Sequence, residues 1–187
     1  FNESDLILSG DTQDVLNKDH YCATFNGSKK LELDNSLKDV FHNNSFTVSV
    51  WIKPDFPSGQ GDYNIVKMGN VTSSNTRFVC NIYNVSGEYA RARLSFFHND
   101  VYTDHVVRKN VWQHLSYVYE KGIGKRIYLN GIQMSVGTHN PNDVSPITNQ
   151  TQALNLTNLG NVPKLTIGQD NNNYFKGYMM DLRIFNH

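Results

Sequence analysis

The chain is short of charge, of glutamate and of cysteine, and each shortage removes a class of function. Charged residues make up 18% of it, and the 17 Lys plus Arg equal the 17 Asp plus Glu. An average soluble domain is roughly 25% charged. A net charge of zero provides no long-range field to draw in nucleic acid or an anionic bilayer, so nucleic acid is not an expected partner. No hydrophobic run approaches the roughly 18 residues of a membrane-spanning helix, and the mean hydropathy is -0.50. Direct membrane insertion is therefore not expected either. Glutamate is confined to Glu3, Glu32, Glu88 and Glu120, a thin supply for glycoside hydrolysis, which needs two carboxyl groups facing each other across a cleft. The sequence contains no G-x-S-x-G elbow and no H-E-x-x-H motif. The two cysteines, Cys22 and Cys80, lack C-x-x-C spacing, which excludes a cysteine zinc cluster and a thioredoxin-type motif. They form a candidate disulfide, with two buried thiols in a β domain as the equally ordinary alternative.

Asparagine, by contrast, is abundant. Random placement of the 24 Asn, 14 Ser and 11 Thr gives about three N-x-S/T sequons, and seven occur, at Asn2, Asn26, Asn43, Asn70, Asn84, Asn149 and Asn155. Asn26, between Phe25 and Gly27 at the end of an expected strand, is the weakest of them. Asn2, Asn43, Asn70, Asn84, Asn149 and Asn155 are candidate glycosylation sites and point to an extracellular, cell-surface or virion-surface location.

In Phe46 to Lys53 the apolar Phe46, Val48, Val50 and Ile52 alternate with mostly polar neighbours, the period of a half-buried strand. The same pattern predicts strands at Tyr21 to Phe25, Leu31 to Leu33, Asn64 to Met68, Arg77 to Tyr83, Tyr89 to His98 and Val101 to Val107. It continues at Val111 to Tyr119, Arg126 to Leu129, Lys164 to Ile167 and Tyr174 to Phe185. Asn130-Gly131 between Arg126–Leu129 and Ile132–Met134 is a hairpin signal, because a type I′ turn needs positive φ at both central residues. Only Asp34 to His42, with Leu37, Val40 and Phe41, resembles a helix, of about two turns. From Gly137 to Val162 the chain is rich in Asn, Thr and Gln and exceeds the roughly 12 to 15 residues of an ordinary loop. It reads as a surface insertion over 137–162 with a short strand around Ala153 to Leu156. The pattern predicts an all-β fold, an antiparallel β-sandwich of jelly-roll type. A length of 187 residues suits one hydrophobic core, so one domain over 1–187 is expected. Its start at Phe1, with no signal peptide, reads as a domain taken from a longer chain.

Six segments in order resemble the laminin-G-like family of the concanavalin A-like lectin and glucanase superfamily, in its pentraxin-related form. They are Phe25-Asn26-Gly27 with Leu31-Glu32-Leu33, then Phe46 to Pro54, Trp112-Gln113-His114-Leu115, Ile127 to Gly131, Leu165 to Gly168, and Phe175 to Asn186. The resemblance implies a concanavalin A-like fold and a structural Ca²⁺. Gly27 would supply a carbonyl and Asp181 a carboxylate oxygen, with Asp19 nearby, which suits an ion that takes six to eight hard oxygen ligands. The retaining glucanases of the superfamily carry E-x-D-x-x-E; here Glu32-Leu33-Asp34 begins it, but Leu37 stands in the last position, so no catalytic residue is assigned.

Sugar recognition needs aromatic faces to stack on C–H patches and planar polar groups to meet hydroxyls. Tyr63, Arg77, Tyr83, Arg91, Arg93 and Tyr102 fall on or near strands that would line the concave sheet. The segment Gly168 to Tyr174, with Asp170, Asn172 and Tyr174, would form a loop at a sheet edge. His98 and His105 flank a hairpin turn, a weak zinc signal; His114 shares a face with Trp112. The expected function is a non-catalytic, lectin-like module that takes a glycan or a surface glycoprotein. The alternatives are a laminin-G-type adhesion module for a protein partner, or a structural domain of a multidomain surface or viral attachment protein.

Overall fold

A computed structural model of the chain describes residues 6–9, 22–33, 37–57, 61–69, 75–97, 99–137, 151–156, 164–170 and 173–187. In chain order its elements are β1 (Leu6–Ser9), β2 (Ala23–Asn26), β3 (Lys30–Leu33), the helix α1 (Lys38–Phe41), β4 (Phe46–Pro54), β5 (Asp62–Met68), β6 (Phe78–Ser86), β7 (Tyr89–Ser95) and β8 (Asp100–Arg108). They continue with β9 (Gln113–Glu120), β10 (Gly124–Leu129), β11 (Ile132–Gln133), β12 (Val136–Gly137), β13 (Leu165–Ile167), β14 (Gln169–Asp170), β15 (Asn173–Tyr174) and β16 (Lys176–Asn186). One sheet has eight strands in the order β1-β3-β13-β5-β6-β7-β8-β12, a second has six in the order β11-β10-β9-β4-β16-β2, and β14-β15 is a small hairpin. Every described pairing is antiparallel.

Side-chain alternation decides which face of each sheet is inside. On β4 Phe46, Val48, Val50 and Ile52 are buried and Thr47, Ser49, Trp51 and Lys53 look outward. On β9 Leu115, Tyr117 and Tyr119 are buried against them. The eight-stranded sheet answers with Phe78, Cys80 and Ile82 on β6 and Ala90, Ala92 and Leu94 on β7. Each large apolar side chain moved out of water contributes about 1.5–3 kcal/mol before entropy is counted. At one end the rings gather: Phe41 lies 4.9 Å from Phe46 and 4.4 Å from Phe78, and Phe96 lies 4.9 Å from Tyr119.

The predicted hairpin is present, with Asn130 at φ 51 and Gly131 at φ 80. The helix is shorter than expected, a single turn at Lys38–Phe41 that delivers Phe41 to the core. The short strand expected around Ala153 to Leu156 is absent from the described part of the 137–162 segment. Leu154 and Leu156 are nevertheless buried in the main core. The segment is pinned by backbone bonds from Asn155 N–H to Asn75 C=O and from Asn43 N–H to Leu154 C=O, and by Leu156 N–H to His42 Nδ1. Of the two alternatives for the cysteines the structure has the second: Cys22 and Cys80 are both buried and free, with no disulfide between them. Cys22 stands before β2, the edge strand of one sheet, while Cys80 lies inside β6 in the middle of the other.

Candidate functional site

The outward face of the eight-stranded sheet carries polar side chains in rows set by the register. One row runs Asn64 (β5), Asn81 (β6), Arg93 (β7) and Tyr102 (β8); the next runs Asp62, Tyr83, Arg91 and His105 across the same strands. A third runs Glu32, Thr166, Lys67, Val79, Ser95 and Asp100. Side chains directly opposite on neighbouring strands stand about 4.5–5.5 Å apart at Cβ, so the first two rows form one continuous patch. The outer face of a sandwich is usually well solvated, but here Asn64, Asn81, Ser95 and Tyr102 are buried.

Arg93 is the centre of this patch. Its Nε donates to Asn81 Oδ1 at 2.9 Å and its Nη2 donates to Asp62 Oδ1 at 2.9 Å, while Asn81 Nδ2 also donates to Asp62 Oδ1 at 3.2 Å. The guanidinium carbon lies 4.7 Å from the ring centre of Tyr83 and 5.9 Å from that of Tyr102, and the two rings are 5.5 Å apart. Burial opposes the charge on Arg93, but the carboxylates of Asp62 and Asp100 outweigh it and its pKa lies above the usual range. Burial and the neighbouring Asp100 push the Tyr102 hydroxyl up to about 12. That hydroxyl remains a proton donor, to Asp100 Oδ2 at 3.3 Å. The result is a pair of aromatic rings with a guanidinium, a carboxylate and an amide held in place by one another.

Several of the residues nominated from the sequence meet here and several do not. Tyr83, Arg91, Arg93 and Tyr102 share the face. Tyr63 does not: the register sets it opposite the core residue Ile82, and its ring lies 6.0 Å from the buried Phe56. Arg77 precedes β6 six positions before Tyr83 and stacks on Phe97 at 4.8 Å, roughly 20 Å along the strand. Asp170 and Tyr174 belong to the β14–β15 hairpin, which runs beside β5, where Gly168 N–H reaches Ile65 C=O. Asn172, Asp19, Asn2, Asn70 and Asn149 lie outside the described residues, as does His98. Asn43 and Asn155 are exposed, and Asn84 is on β6. Asp62, Asn81 and Asn64 escape a reading of the sequence, because only the strand pairing shows that they flank Arg93.

The expected calcium ligands do not converge. β2 and β16 pair with Asn26 opposite Lys176 and Ala23 opposite Met179, so Gly27 and Asp181 lie beyond opposite ends of that ladder, roughly 20 Å apart. Asp181 sits in a β-bulge at φ 52, and its carboxylate is held by Arg183 Nε at 2.7 Å. One ion cannot take both residues. No group of three or more His, Cys, Asp or Glu suited to a metal occurs among the described residues.

The outer face of the six-stranded sheet carries a second aromatic group. Trp51 lies 5.3 Å from His114, Trp112 lies 6.3 Å from Tyr178, and Lys53 Nζ lies 5.9 Å from the Tyr178 ring. His114 thus shares this face with Trp112, as the sequence implies. No helix among the described residues is long and apolar enough to cross a membrane.

Residues 25–187 match the laminin-G-type family model described as the concanavalin A-like lectin/glucanases superfamily. The chain belongs to that superfamily. No curated protein sequence matches this laminin-G-type domain. Among solved structures it is similar to domain 4 of AbnA, a GH43 extracellular arabinanase from Geobacillus stearothermophilus in complex with arabinotriose, at 17% identity and TM-score 0.57, over 97% of this chain and 75% of that one. It is similar to the SAP-like pentraxin of Limulus polyphemus at 14% identity and TM-score 0.57, over 87% and 74% of the two chains. It is also similar to the CBM40 of the Ruminococcus gnavus IT-sialidase bound to α2,3-sialyllactose, at 12% identity and TM-score 0.60, over 88% and 89%. These identities show the shared fold.

Among the described residues, the carboxylate of the glucanase-like pattern is not set up as a glycosidase acid. A glycosidase acid needs a raised pKa. Here Glu32 is lowered by its bond to Lys30 at 2.6 Å, and Asp55 is lowered by its bond to Lys176 at 2.7 Å. Leu37, in the place of the third carboxylate, packs against the core.

Proposed function

We propose that this domain is the glycan-binding module of an extracellular, cell-surface or virion-surface protein, and that the sugar lies on the Tyr83–Arg93–Tyr102 face. The observation that carries this reading is the network at Arg93, in which two tyrosine rings and a guanidinium are fixed by Asp62 and Asn81 before any ligand arrives. A sugar ring needs an aromatic face for its C–H patch and rigid polar groups for its hydroxyls. Preorganisation reduces the entropy lost on binding. With Nε and Nη2 of Arg93 engaged, its other terminal nitrogen keeps its protons for a ligand oxygen. The arabinotriose and sialyllactose carried by two relatives of the same fold support a sugar over other small ligands, as does the sequon excess for a secreted route. The test is a screen of the folded domain on a broad glycan array. Retention of a related subset of glycans is expected; a blank array overturns the proposal.

The aromatic group on the six-stranded sheet favours a second reading, adhesion to a protein. Trp and Tyr dominate binding hot spots, and Trp51, Trp112 and Tyr178 lie on adjoining strands or just before one. That face offers fewer rigid planar polar groups, which is why the sugar is assigned to the other sheet.

A further inference from the structure

We infer that the Arg91–His105 corner of the eight-stranded face binds an anionic substituent, a carboxylate or a sulfate, carried by the glycan. The inference rests on the glycan reading and narrows it to acidic sugars. Arg91 and His105 stand directly opposite each other on β7 and β8, and Tyr83 stands opposite Arg91 on its other side. A ring resting on Tyr83 therefore has this corner beside it. The register shifts on both sides of Arg91 in the β7–β8 pairing place His105 against it, a common use of bulges beside binding sites.

Two other charges of the face are answered from within the protein. Arg93 is paired with Asp62 at 2.9 Å, and Glu32 is paired with Lys30 at 2.6 Å and Lys164 at 3.6 Å. Arg91 has no such partner among the described residues. Its Nε and the Nε2 of His105 are both withdrawn from water and make no hydrogen bond. A buried donor without an acceptor is costly to the fold; Arg91 Nε is one, and His105 Nε2 beside it is a second in its Nε2–H tautomer, so the pair calls for acceptor oxygens. Both residues keep part of their surface exposed, and small rotamer changes on binding are ordinary. A guanidinium fork matches the two oxygens of a carboxylate or sulfate and makes charge-assisted bonds to them. The neighbouring Asp104 is exposed and pairs with neither group among the described residues.

The experiment uses an array that carries neutral glycans alongside their sialylated, uronic-acid-bearing and sulfated forms. It is probed with the wild type, Arg91→Ala, Arg91→Lys, His105→Gln and Tyr83→Ala, each checked for folding by its thermal melt. The wild type should retain acidic glycans above their neutral parents, with binding that weakens as salt rises. Arg91→Ala and His105→Gln should lower acidic binding about ten-fold or more and leave neutral binding alone, Arg91→Lys should recover part of it, and Tyr83→Ala should weaken both. Retention of the carboxylate or the sulfate series alone identifies which anion is taken. Equal retention of neutral and acidic forms, or acidic binding that survives both Arg91→Ala and His105→Gln, overturns the anion site and leaves the glycan reading standing. A blank array removes the glycan reading and this inference with it.

Discussion

Lys125 is a base buried on the core side of β10, and its titration should be visible in the stability of the whole domain. Its Nζ donates to Asn99 Oδ1 at 2.8 Å and lies 4.1 Å from the centre of the Phe96 ring and 6.0 Å from that of Tyr119. Burial pushes its pKa down to about 7, with Asp100 pulling the other way. In the unfolded chain a lysine titrates at about 10.4. The unfolded state therefore binds the extra proton between pH 7 and 10, and stability must rise with pH through that window. Below pH 7 the cost of the buried charge is fully present, roughly 4 to 5 kcal/mol from the gap between the two values. Between pH 7 and 8.5 roughly 1 to 2 kcal/mol of it should be relieved. The assay is urea unfolding of the wild type and Lys125→Met at several pH values across this range. The variant leaves Asn99 Oδ1 without that donor, an offset of about 1–3 kcal/mol, but the offset is the same at every pH. Groups such as Cys80 and Tyr117, whose pKa values are raised by burial, titrate alike in both proteins and cancel. The free-energy difference between the two proteins should shift by roughly 1 to 2 kcal/mol across the window, in the direction that favours wild type at pH 8.5. A difference independent of pH would refute the reasoning.

Three further outcomes follow from the packing and the backbone. Leu156→Ala should cost about 2–4 kcal/mol in a urea melt, because its side chain is fully buried; a cost below about 0.5 kcal/mol would make the segment the decoration that its composition suggests. Neither thiol should react with a thiol reagent in native buffer, and both should react in denaturant, since Cys22 and Cys80 are free and buried; thiols that stay silent in denaturant would mean a disulfide. Asp181→Asn should change the melting temperature by no more than about 2 °C, with or without EDTA, because Asn tolerates positive φ and the exposed pair with Arg183 contributes little. A calcium-dependent gain that this variant abolishes would restore a shared ion site.

The fold is legible in the sequence because strand alternation is a local signal. Phe46 to Ile52 declares its inward face without reference to any partner, and Asn130-Gly131 declares its turn. The site is only half legible. Tyr83, Arg93 and Tyr102 carry the right chemistry and can be nominated from composition, but Asp62 and Asn81 matter through cross-strand register, which no local pattern encodes. Tyr63 is misplaced for the same reason. The bulge between Asn64 and Val66 breaks strict alternation, and Tyr63 falls on the core side opposite Ile82. The Gln- and Asn-rich stretch hides Leu154 and Leu156 because two buried leucines among polar residues form no period. Gly27 and Asp181 are nominated by family likeness, and the β2–β16 register separates them.

On the proposed reading a sugar rests on the eight-stranded face rather than on the Trp51–Tyr178 face of the other sheet. Calorimetric titration of the strongest array-selected glycan into wild type, Tyr83→Ala and Trp51→Ala tests this most directly. Binding should be about ten-fold or more weaker for Tyr83→Ala and unchanged for Trp51→Ala. Binding that survives in Tyr83→Ala and is lost in Trp51→Ala would contradict it.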